Sequence, residues 1–113
     1  MHPLFLILTL TGGIFLLAGY IQYRFPPKKI NHLYGYRTAS SMKSQESWDF
    51  AQRFSAEKMM RMSSYIITLG LLSWLVDIEQ FWGIGIALMI TVIGPLLLLL
   101  QVENELKKRF PKK

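Results

Sequence analysis

The chain has 113 residues, 51% of them hydrophobic, with a positive mean hydropathy and a net charge of +6. That length fits one domain at most, and the apolar content is high for a soluble domain of this size. No cysteine is present, which excludes disulfide staples, thiolate catalysis and cysteine-ligated metals.

The first predicted element covers residues 3–23, PLFLILTLTGGIFLLAGYIQY, with no ionisable group except its tyrosines. About 20 apolar residues at ~1.5 Å rise cross a ~30 Å hydrocarbon core, so the segment reads as a membrane span. No basic stretch precedes it, and Arg24, Lys28 and Lys29 follow as a stop-transfer cluster, which argues against a signal peptide. Gly12 and Gly19, one heptad apart, permit close helix approach, within one chain or between copies as a homo-oligomer.

Residues 24–58 form a polar loop followed by an amphipathic helix. Pro26 and Pro27 end the first helix, and Gly35 between two tyrosines permits a tight bend. Ser41 or Ser44 is the expected N-cap of the next helix, with Glu46 in its first turn. Trp48, Ala51, Ser55, Met59 and Met62 then share one face, which Ile66, Leu69 and Ser73 continue into a second span. A single helix, half in water and half in lipid, is the economical reading. Phe50 and Phe54 lie on the other face beside Lys58 and Arg61, so that face also needs cover: the bilayer surface, the Tyr34–Tyr36 segment or another protein.

The second span is placed at residues 59–76. Ser63 to Val76 is marginal in length by itself, and extension back to Met59 lets Arg61 snorkel to the interface. The third, residues 81–102, carries no charge. Pro95 inside it predicts a kink and not a break, because a broken helix would strand backbone polar groups in lipid. Gly83, Ala87 and Thr91 repeat there at four-residue spacing. Residues 103–113 read as a basic tail. The fold class is therefore an all-α membrane protein with three transmembrane helices in one domain; a soluble bundle of three such apolar helices fits these lengths poorly.

The charges set the orientation. Eight basic residues, from Arg24 to Arg61, lie between the first and second spans, and Lys107, Lys108, Arg109, Lys112 and Lys113 follow the third. The short turn DIEQ holds Asp77 and Glu79 and no lysine or arginine, as expected of an external loop. This places the N-terminus outside and the C-terminus inside. The basic balance then reads as topology and contact with the lipid bilayer, not nucleic-acid binding.

No Asp, Glu, Lys, Arg or His lies within the apolar runs 3–23, 63–76 and 81–102, which argues against an ion-coupled pump. His32 has no second ligand at metal spacing, and no Ser/His/Asp group, phosphate loop or carboxylate pair stands out. We expect no enzymatic activity, no metal and no cofactor. Arg37 has two readings: an anion site with Lys43 and the hydroxyls of Thr38, Ser40 and Ser41, or a brace holding the loop through backbone carbonyls or Glu46. The brace is preferred, because structural roles of this kind are common.

Asn31, YGYRT at 34–38, SMKS at 41–44, Glu46, Trp48 and Ala51 together resemble, in order and spacing, the signature loop of the SdpI family of small bacterial membrane proteins. The likeness extends through the flanking spans to ENELKKRF at 103–110. It marks Asn31, Gly35, Arg37, Thr38, Ser41 and Trp48 as the family loop. It implies a multi-pass protein of the bacterial inner membrane. The family's best-known member confers immunity to a secreted, membrane-killing peptide toxin and holds a transcriptional repressor at the membrane. The resemblance thus points to a protection module whose partner is a peptide toxin or a soluble regulatory protein. The alternative is a small oligomeric transporter or channel assembled through the glycine stripes.

Overall fold

The computed structural model describes residues 2–111; Lys112 and Lys113 of the expected basic tail lie outside the described residues. Three helices carry the fold: α1 (Pro3–Arg24), α2 (Gln45–Ser73) and α3 (Gln80–Arg109), with a 3-10 turn at Ser41–Lys43. No strand occurs among the described residues.

Local chemistry sets the helix ends. His2 caps α1 by accepting the Phe5 N–H at 3.2 Å, with Pro3 at a position where no N–H is needed. Ser44 begins α2 through a reciprocal capping box: its hydroxyl accepts from Ser47 N at 3.1 Å, and the Ser47 hydroxyl accepts from Ser44 N at 3.1 Å. Helix α3 passes Pro95 without a break and does not stop at Val102. It runs through most of the expected tail, ending in Lys107, Lys108 and Arg109, where cations suit the helix dipole.

The α1–α2 seam is built on small residues. A Cβ at Gly12 would lie 2.6 Å from Ile67 Cγ1, one at Gly19 3.1 Å from Met60 Cγ, and one at Gly70 3.0 Å from Leu8 Cβ. The glycine stripe of α1 is therefore used within the chain, against antiparallel α2. Helix α3 runs parallel to α1, with Gly83 beside Leu4 and the Thr91 and Thr11 hydroxyls 3.4 Å apart. Along α2 the buried stripe is Trp48, Ala51, Ser55, Ser63, Ile66, Gly70 and Ser73; Leu69, expected on it, is exposed because Gly70 takes the contact with α1.

The apolar and polar surfaces are inverted relative to a soluble bundle. Glycine, alanine and serine fill much of the interior, while Leu10, Leu17, Trp82, Met89 and Leu100 point outward. Helices α1 and α3 are long and apolar enough to cross a membrane, yet only 22% and 17% of their apolar windows are buried. A core helix of a soluble protein would be mostly buried; these present their leucines to the surroundings, as lipid-facing helices do. Helix α2 does not meet the same measure, since it ends at Ser73 and carries Arg61 and several serines in its second half.

Candidate functional site

The segment between α1 and α2 folds back over the end of the bundle as a cap. It starts where the Phe25 N–H donates to Ile21 O at 2.8 Å, after which Pro26 and Pro27 cannot continue the helix. Trp48, fully buried, donates its indole N–H to Pro27 O at 2.8 Å, and Gln45 Nε2 donates to Lys28 O at 2.7 Å. The start of α2 thus holds the double-proline corner from beneath.

Asn31 closes a local turn. Its Oδ1 accepts the Leu33 and Tyr34 N–H groups at 2.9 and 2.8 Å, and its Nδ2 donates to Lys29 O at 2.9 Å. The Tyr34 hydroxyl reaches back to Phe25 O at 2.7 Å. At the next residue the chain turns through Gly35, at φ +98°, a conformation that side-chain-bearing residues rarely adopt. Beyond it, buried Gln52 grips Tyr36 at both backbone groups: its Oε1 accepts Tyr36 N–H at 2.7 Å and its Nε2 donates to Tyr36 O at 2.7 Å. Gln22, the polar residue near the end of α1, donates to Gln52 O at 2.9 Å and Ser55 Oγ at 2.8 Å. Two glutamines therefore join α1, α2 and the loop in one buried network.

Helix α3 supplies the other anchor. Glu103 Oε2 accepts from the Tyr36 hydroxyl at 2.6 Å and from the Thr38 hydroxyl at 2.7 Å. Ser41 Oγ accepts Thr38 N–H at 2.9 Å, and Ser47 Oγ donates to Ser41 O at 2.9 Å, joining this turn to the capping box. Lys43 donates to Phe110 O at 2.8 Å. The second apolar face of α2 finds its cover here: Phe50 and Phe54 pack around Leu106 and Phe110 of the α3 extension, with Tyr36 alongside.

Burial raises the Glu103 carboxyl, but hydrogen bonds from Tyr36, Thr38 and Ser40, with the Lys107 charge, outweigh it and leave its pKa below the ordinary value of 4.5. Burial first, and then the Glu103 carboxylate, push the Tyr36 phenol upward. Because Glu103 is depressed in the folded state, its stabilisation is complete above the unfolded carboxylate value and is lost as pH falls through the folded one. Hydrogen-exchange protection of residues 36–41 is expected to hold from neutral pH to about 4.5 and to fall below it. In Glu103→Gln, that acid step should vanish; an unchanged step would show that another group controls the cap.

The six signature residues occupy different places in this cap and do not line one cavity. Gly35 and Trp48 meet at Pro27, Thr38 and Ser41 bind each other, and Asn31 closes its own turn. Arg37 is exposed and donates to the His32 carbonyl, a brace of the backbone kind; Glu46 takes no part. No buried side-chain N or O among the described residues lacks a hydrogen-bond partner, and no cluster there is suited to a metal. Gln22, Gln52 and Glu103 were not singled out from the sequence. Gln22 carried a signal, as an amide inside an otherwise apolar run; Gln52 and Glu103 sit in polar surroundings that gave none.

A family comparison matches residues 28–99 to the SdpI/YfhL protein family. The chain is also 46% identical over 61 residues to a Bacillus subtilis (strain 168) protein named "Uncharacterized protein YfhL". That match covers 54% of this chain and 56% of the relative, so the chain spans little more than half the relative's length. No solved structure matches. The family match takes in more than half of the chain and nearly the whole cap, and the helices beneath it turn apolar faces outward, so the chain belongs to the SdpI/YfhL family as an all-helical membrane protein.

Proposed function

We propose that this protein crosses the bacterial inner membrane three times, N-terminus outside and C-terminus inside, and protects the cell against a membrane-active peptide. Three spans follow if the second half of α2 lies in lipid between α1 and α3. Its buried stripe and theirs form one bundle, so a bilayer around α1 and α3 also surrounds it. The basic residues of the cap and of the α3 terminus gather at one end of that bundle, and Asp77 and Glu79 at the other, which supports the orientation. His2 stacks on Trp74 at that acidic end, with ring centroids 5.6 Å apart, as an interfacial aromatic pair would.

The observation that carries the protective reading is where the signature residues go. They brace a cap on an apolar bundle, which supports reading the family motif as the frame of a membrane platform. Binding, without catalysis or cofactor, is the function such a platform supports. Cells expressing the protein should survive challenge with membrane-active peptides better than cells lacking it, and Trp48→Ala should lose the advantage. Equal survival across a panel of cationic and hydrophobic peptides would remove protection. Solute flux through reconstituted protein that depends on Arg37 would put transport in its place.

A further inference from the structure

We propose that the groove between α2 and α3 binds one anionic phospholipid of the inner leaflet, its phosphate at Lys58 and Arg61 and an acyl chain along the apolar part. The groove has a volume of about 410 Å³. Its charged groups lie at one end, Lys58 and Arg61 on α2, with Gln101 facing them from α3; Tyr65, one turn beyond Arg61, is the remaining polar side chain of the lining. Because the two helices are antiparallel, Ile66 and Gly94 fall together at the other end, where Ile66 Cδ1 lies 3.6 Å from the position of a Gly94 Cβ. Leu97 and Leu98 line the wall between. One cationic mouth leading into one apolar trough has the polarity of a phospholipid entering from the cap side.

No carboxylate lines the groove, and the one ion pair among the described residues joins Arg109 to Glu105. Glu57, one turn before Arg61, lines with it a neighbouring hollow that also includes Tyr23, but the two are not within ion-pair distance. Lys58 rests with its ammonium 5.4 Å from the Phe54 ring centroid, at the mouth of the groove. Depth adds a second argument. Met60 packs against Gly19, five residues before Arg24, so Met60 stands roughly 7 Å inward of the Arg24 level at ~1.5 Å per residue, and the Arg61 backbone one residue deeper. A cation at that depth needs an anion or a route to water, and a lipid phosphate offers a bidentate acceptor for the guanidinium. The same two charges repel a cationic peptide, so this groove is not where such a toxin would bind.

The site rests on the membrane placement proposed above and can fail separately from it. Native mass spectrometry of the full chain in detergent, given equal phosphatidylglycerol and phosphatidylcholine of matched chains, should show phosphatidylglycerol retained several-fold more. In Lys58→Gln/Arg61→Gln that preference should fall to near parity, while Lys28→Gln/Lys29→Gln should keep it several-fold. Equal retention of the two lipids by the wild type overturns the site, whether or not the variants fold. An equal loss in the Lys28/Lys29 variant also overturns it, because general basic attraction would then suffice. Complete displacement by soluble glycerol phosphate would remove the acyl-chain part of the site. Protein that stays monodisperse without detergent would instead refute the membrane placement.

Discussion

Replacing Trp48 by alanine is expected to open the cap while leaving the rest of the bundle helical. The ring is completely buried at the joint between the double-proline corner and the first turn of α2. Truncating a buried aromatic to alanine costs about 3–5 kcal/mol. Part of that loss is the Pro27 carbonyl, left without its donor, a deficit of about 1–3 kcal/mol when the acceptor stays dry. At ~1.4 kcal/mol per tenfold, cap opening should become at least a hundredfold more frequent. The contacts of α1 with α2 at Gly12, Gly19 and Gly70 lie well away from this joint and should survive. Limited proteolysis in detergent would therefore cut faster within residues 28–43, with far-ultraviolet circular dichroism nearly unchanged. Trp48→Phe separates the two terms, since it keeps most of the ring and removes the N–H. A Phe variant as labile as the Ala variant would assign the effect to the hydrogen bond; equal protection of all three would deny Trp48 its anchoring role.

The sequence made some of this legible because the relevant forces are local. Ser44 as a cap, the helix carrying Trp48 and Ala51 inward, and the corner at Pro26 and Pro27 each follow from groups within a turn or two of one another. The run from Phe81 to Val102 declared its length and apolarity without any knowledge of its neighbours. The continuation of α3 to Arg109 was not legible, because ENELKKR looks like a solvated tail until Leu106 and Phe110 are seen to cover Phe50 and Phe54. Glu103 was missed for the same reason: its partners Tyr36 and Thr38 are 67 and 65 residues away. The face of α2 drifted from Leu69 to Gly70 because close helix approach rewards the smaller side chain, a preference set by α1 and absent from α2's own pattern. The brace at Arg37 was among the readings the residues allowed, and what remained to be found was which carbonyl it would take.

Gly35→Ala should be the second severe lesion, through two mechanisms that a double-mutant cycle can separate. The first is backbone strain: φ at +98° is unfavourable for any L side chain and costs of order 1–3 kcal/mol. The second is space, since a Cβ there would collide with Gln52 Oε1 and lie 2.6 Å from Pro27 Cγ. Gln52 cannot yield without releasing the Tyr36 N–H and C=O that it holds, each such bond contributing about 1 kcal/mol. Together these give an expected loss of about 3 kcal/mol in cap stability. In a Gln52→Ala background the amide is gone, so adding Gly35→Ala should cost only the strain and the Pro27 contact. The coupling between the two substitutions should then be about 1–2 kcal/mol, within the range for residues in direct contact. Gly35→Asn provides a further separation, because asparagine tolerates positive φ better than alanine but carries the same Cβ. If Asn restores protease resistance to the glycine level, strain alone governs the position; if Asn and Ala are equally damaging and the cycle shows coupling, the grip of Gln52 on the loop is what holds the cap over the bundle.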